Sequence, residues 1–94
     1  MKTTERITLI NDSFTNEEAK DVLLHLFKSP INFYNIKNWS SQERYRKDDE
    51  VSQERIPALK KEIEKLQQIL LQSKRENKKL IVSTEIKISF ADDL

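Results

Sequence analysis

The 94-residue chain contains no cysteine and no glycine, and two prolines. The missing thiols remove cysteine nucleophiles, iron–sulfur clusters, cysteine zinc sites and disulfides together. A small chain without disulfides points towards the cytoplasm, because secreted domains of this size lean on such bridges. The missing glycine is more restrictive. Phosphate-cradling loops of the Walker and dinucleotide types need glycine for positive φ and close backbone approach, and EF-hand loops need it too. Tight turns in this chain are expected to use asparagine or aspartate instead.

Charge of one sign is also lacking. The formal net charge is +1 and the isoelectric point about 7.9. Nucleic-acid-binding domains carry a clear basic excess, with isoelectric points above about 9. No apolar run approaches the roughly 20 residues of a membrane helix, and no signal-like segment follows Met1. The sequence points to no catalytic residue, no cofactor and no metal.

Charged residues make up 35% of the chain and hydrophobic ones 36%, but the apolar residues fall in periodic blocks, which implies folding with long solvated helix faces. The length suits one domain over 1–94, with residues 1–5 and 91–94 as frayed tails.

Residues 6–11 form a short β-type run. Thr15 and Glu18 have capping-box spacing, and Ala19, Val22, Leu23, Leu26 and Phe27 follow on one helical face. Ser29-Pro30 reads as the end of that helix. The β-branched and aromatic residues over 31–37 favour a strand. Ser40 with Glu43 forms a second capping box. Ser52 caps a renewed start with Pro57 in its first turn, or one long helix from about residue 41 kinks at Pro57. Ile56, Leu59, Ile63, Leu66 and Leu70 then alternate spacings of three and four. Residues 80–90 alternate strictly, with Leu80, Val82, Thr84, Ile86, Ile88 and Phe90 on one face.

The expected architecture is α+β: a small two- or three-stranded sheet packed on one face by a short N-terminal helix and a long charged helix, in the order β-α-(β)-α-β. Because a helical crossover joins the first and last strands, parallel pairing between them is permitted. The 56–70 stripe is too short for an independent coiled coil and is assigned to packing within the chain, on the sheet.

His25 follows Asp21 by one turn and could form a tuned base, but no nucleophile or second base accompanies it. The acidic pairs and triplets at 17–18, 48–50 and 92–93 read as solvated helix faces and tails. Tyr34, Trp39, Arg44, Tyr45 and Arg46 mix aromatic and basic character, which suits core packing and protein contacts better than nucleic acid. Val82, Thr84, Ile86 and Ile88 lie on a strand longer than its evident partners, and open strand edges invite pairing with another chain. The sequence therefore favours a non-enzymatic interaction module, forming a homodimer or docking on a protein partner, with no membrane association. A small nucleic-acid-binding regulator using Arg44, Arg46, Lys47, Lys74, Arg75, Lys78 and Lys79 is the alternative. An enzyme whose site shows no motif is a third.

Overall fold

The computed structural model describes residues 3–92. Strand β1 (Thr4–Phe14) leads into helix α1 (Asn16–Tyr45); helix α2 (Glu50–Glu76) returns, and strand β2 (Leu80–Ser89) closes the order. The α+β class stands, with a two-stranded sheet.

Helix α1 begins where expected. The Thr15 hydroxyl accepts from the Glu18 N–H at 3.2 Å, and the Thr15 N–H donates to the Glu18 carboxylate at 2.9 Å. It does not stop at Pro30. The segment 31–37, expected as a strand, is helical, and Ser40 with Glu43 lies inside the same helix. The short N-terminal helix is thus 30 residues long. Proline removes one i→i−4 bond and costs roughly 3 kcal/mol within a helix. What offsets that cost is packing. Leu23, Phe27, Pro30 and Tyr34 keep alternating spacings of four and three straight through the proline, and all four are half-buried.

Helix α2 starts at Glu50 under an Asp49 cap, not at a Ser52 cap, and runs unbroken through Pro57. The Asp49 carboxylate accepts from the Ser52 N–H at 2.9 Å and the Ser52 hydroxyl at 2.7 Å. The stripe Ser52, Ile56, Leu59, Ile63, Leu66, Leu70 and Ser73 is half-buried or buried throughout. It packs within the chain, as expected, but against α1 and not against the sheet. Two cross-links fix the helices as antiparallel. Asn16 of α1 donates to the Leu70 carbonyl at 2.6 Å, and Asn38 accepts from the Asp49 N–H at 2.8 Å.

That helical hairpin decides the strand direction. It returns the chain to the end where it entered, so β1 and β2 pair antiparallel and not parallel. Pairing runs from Thr4↔Ser89 to Phe14↔Leu80, so Thr4 and Glu5 are ladder residues and not a frayed tail. The expected tail residues 1, 2, 93 and 94 lie outside the described residues. The strand over 80–89 has a partner along its whole length, and each strand keeps one open edge.

Among the described residues the left-handed positions are Arg46 at the end of α1 and Asn77 at the end of α2. Asparagine in place of glycine was expected; arginine was not. Asn77 lets the Lys78 N–H reach the Ser73 carbonyl at 3.0 Å, closing a Schellman-type turn into β2.

The ribbon scarcely touches the helices, so the expected sheet-on-helix core is absent. End to end, α1 at about 45 Å and the ribbon at about 33 Å would far exceed the 50 Å maximum extent. The ribbon is therefore set at an angle to the helical hairpin.

Candidate interaction surface

The bulge in the β1 ladder shapes the ribbon. A register shift falls between Thr8 and Ile10, making Leu9 an extra residue. One extra residue reverses the parity of every later side chain. Ile7 and Ile10, three apart, therefore both stand opposite even-numbered β2 residues: Ile7 opposite Ile86, Ile10 opposite Thr84. With Phe14 opposite Leu80 this makes one mainly apolar face, interrupted by Asp12 opposite Val82 and Glu5 opposite Ile88. The other face is polar, with Thr4 bonded to Ser89 at 2.9 Å and Arg6 3.6 Å from Glu85. Near the helices the apolar face is half-buried at Phe14, Leu80, Val82 and Thr84; towards the far end Ile7, Ile86 and Ile88 are exposed.

Helix α1 carries a second, uncharged stripe: Val22 and Leu26, expected on one face with Leu23 and Phe27, belong instead with Phe33 and Ile36. At about 100° per residue, Val22, Leu26, Ser29, Phe33, Ile36 and Ser40 fall in an arc of about 80°, centred about 120° from the line facing α2. Phe33 is 58% and Ile36 56% exposed. Phe33 is braced by the Tyr34 ring, edge-on at 5.3 Å. The signal was legible: spacings of four and three run through Pro30, but the β propensity of 31–37 masked them.

The residues expected to make contacts do not form one patch. Tyr34 is half-buried in the helix seam, whereas Trp39 and Tyr45 are exposed. Arg44, Tyr45 and Arg46 crowd the end of α1, and Val82, Thr84, Ile86 and Ile88 lie on the ribbon. Nor do the basic residues converge. Arg44, Arg46 and Lys47 sit at the α1–α2 turn, while Lys74, Arg75, Lys78 and Lys79 sit at the other end of α2, about 40 Å away at 1.5 Å per residue.

Members of the acidic clusters at 17–18 and 48–50 have structural duties. Asp49 caps α2, Asp48 accepts from Gln42 at 2.6 Å, and Glu18 completes the α1 cap. The Glu18 carboxyl is held below its usual range by its hydrogen bond from the Thr15 backbone and then by the Thr15 side chain. The Asp49 carboxyl is lowered by the Ser52 hydroxyl and then the Ser52 N–H. Among the described residues no group of three or more His, Asp or Glu side chains could hold a metal ion. His25 Nδ1 lies 2.9 Å from the Asp21 backbone carbonyl, so the pair is a contact within one helical turn and does not involve the Asp21 carboxylate. The dent beside it is lined by Lys28, Ser29 and Asn32 of the same helix. Among the described residues no helix is long and apolar enough to cross a membrane. No protein-family model, no curated protein and no solved structure matches the chain.

Proposed function

We propose that this chain is a non-enzymatic protein-interaction module that works as a self-associated pair. The observation that carries this reading is the shortage of core in the single chain. Its accessible surface is 8259 Å². A compact monomer of 11.2 kDa exposes about 5,700 Å². The radius of gyration is 16.9 Å, against about 12 Å for a compact domain of this length. Ala19 and Leu70 are the buried hydrophobic residues among those described. Apolar side chains that would form a core in a globule instead stand on the ribbon face and on the flank of α1. A two-stranded ribbon is marginal in water without a further strand or a packed face.

Light scattering across a wide range of concentration tests this. The expected mass is about twice the 11.2 kDa of one chain, persisting to low micromolar protein. A monomeric mass throughout, with the chain folded, overturns the reading.

A further inference from the structure

We propose that the second copy packs on the broad side of the helical hairpin, α1 against α1 in antiparallel sense, to give a four-helix arrangement. This rests on the self-association proposed above and assigns its surface.

The first argument is composition. Over Val22, Leu26, Ser29, Phe33, Ile36 and Ser40 the flank of α1 carries no charge, in a chain that is 35% charged. Interface centres are depleted in charge and their rims are polar. The two helices run antiparallel, so the equivalent flank of α2 opens to the same broad side. It carries Val51, Ala58 and Ile69 together with Arg55, Glu62 and Lys65, and so supplies the rim. The opposite broad side of α1 bears Lys20, Lys28 and Asn35 among the half-buried Leu24 and Ile31, so it is not free of charge.

The second argument is self-complementarity. A two-fold contact requires that a surface match its own image. If the axis passes at the level of Ile31, Ser29 faces Phe33, Leu26 faces Ile36 and Val22 faces Ser40. The small Ser29 leaves room for the Phe33 ring of the other copy. These spacings of four and three are those of helices packed about 20° from antiparallel.

The third argument is area. The helices are 30 and 27 residues long, and two side by side present a face about 40 Å by 20 Å, or roughly 800 Å² per copy. The Asn16–Leu70 and Asn38–Asp49 bonds set Ile31 level with the first third of α2, so an axis there covers all of α1 but less than half of α2, about 600 Å² per copy, at the lower end of a standard stable interface. The ribbon face, about 33 Å by 10 Å, offers about half of that and would fall among weak contacts.

Two measurements on the full chain test the arrangement. Phe33→Glu is compared with Ile86→Glu by sedimentation equilibrium, with circular dichroism to confirm folding. Phe33→Glu is expected to weaken dimerisation by about 100-fold or more, since the buried aromatic is lost twice, and Ile86→Glu to leave it within a few-fold. The absence of native cysteine allows a second test that does not disturb packing. Ser29→Cys should be joined to its counterpart by a bis-maleimide of about 10 Å reach, given helix axes 8–10 Å apart, while Asn35→Cys on the opposite side should not. A dimer that survives Phe33→Glu, or that links through Asn35→Cys and not Ser29→Cys, overturns this arrangement and leaves self-association standing through another face. A native chain that is monomeric at every concentration overturns both.

Discussion

The N–H of Asp49 donates to the side-chain oxygen of Asn38 at 2.8 Å, so the residue that caps α2 is itself held by α1. The Asp49 carboxylate meanwhile accepts from Ser52. One turn of chain thus ties the end of one helix to the start of the next, and sets the register in which their seams meet.

Replacing Asn38 by Ala is expected to destabilise the fold by about 1–2 kcal/mol, because a part-buried N–H is left without its acceptor. Urea denaturation at one fixed protein concentration measures this, since a self-associating chain gains stability with concentration. Asn38→Asp retains the acceptor and should recover most of the loss at neutral pH. No loss in the alanine variant would mean that water replaces the bond and that the tie does not hold the turn.

The three carboxyls lowered by local hydrogen bonds make stability depend on acid. Ser52 stabilises the charged form of Asp49, Thr15 that of Glu18, and Gln72 with Lys78 that of Glu76. A group whose folded pKa is depressed adds stability that is fully present above its unfolded value and is lost as pH falls through its folded value. Stability should therefore be level from pH 7 to about 5 and decline below about 4. Asp49→Asn should flatten that decline, and Glu18→Gln should do so at the other helix. Denaturation midpoints across the range measure it. An unchanged acid slope in both variants would place the pH dependence elsewhere.

The parts of the fold set by local chemistry were legible in the sequence. Thr15 with Glu18 marked the start of α1, and strict alternation from Leu80 marked β2. The alternating threes and fours from Ile56 to Leu70 marked the packed face of α2. What was not legible depended on partners far along the chain. The residues at 31–37 have strand-like character, yet the helical spacing that passes through Pro30 prevails because α2 lies against it. The strand direction could not be read without knowing that α1 and α2 turn back on each other. Of the expected contact residues, Ile86 and Ile88 are exposed on an apolar face. Tyr34 belongs to the seam, and Phe33, within the segment expected as a strand, is more exposed than either isoleucine.

Leu70 and Ile81 separate core from surface. Leu70 is 7% exposed, and its carbonyl takes the Asn16 bond; Ile81 is 87% exposed on the polar face of the ribbon. Leu70→Ala should cost about 2–5 kcal/mol by lost burial and the cavity left behind, which in so small a core approaches global unfolding. Ile81→Thr should change stability by less than about 0.5 kcal/mol. Thermal melts of the two variants at matched concentration give the comparison. A large loss from Ile81→Thr would show that this side of the ribbon is covered in solution.

Pro57 lies within α2, seven residues beyond Glu50, on an exposed position. It has no N–H to give the Gln53 carbonyl, so the helix pays for it without gaining buried surface there. Proline in a helix interior is about 3 kcal/mol less favourable than alanine. Alanine also restores freedom to the unfolded chain, which takes back up to about 1 kcal/mol. Pro57→Ala should therefore stabilise the protein by about 1–2 kcal/mol, with more helical circular dichroism. The competing arrangement, in which a helix begins near Pro57, predicts the opposite sign. A first-turn proline has no bond to lose and its fixed φ suits the position, so its replacement would lower stability. The direction of the shift in denaturation midpoint decides between one continuous α2 and two shorter segments.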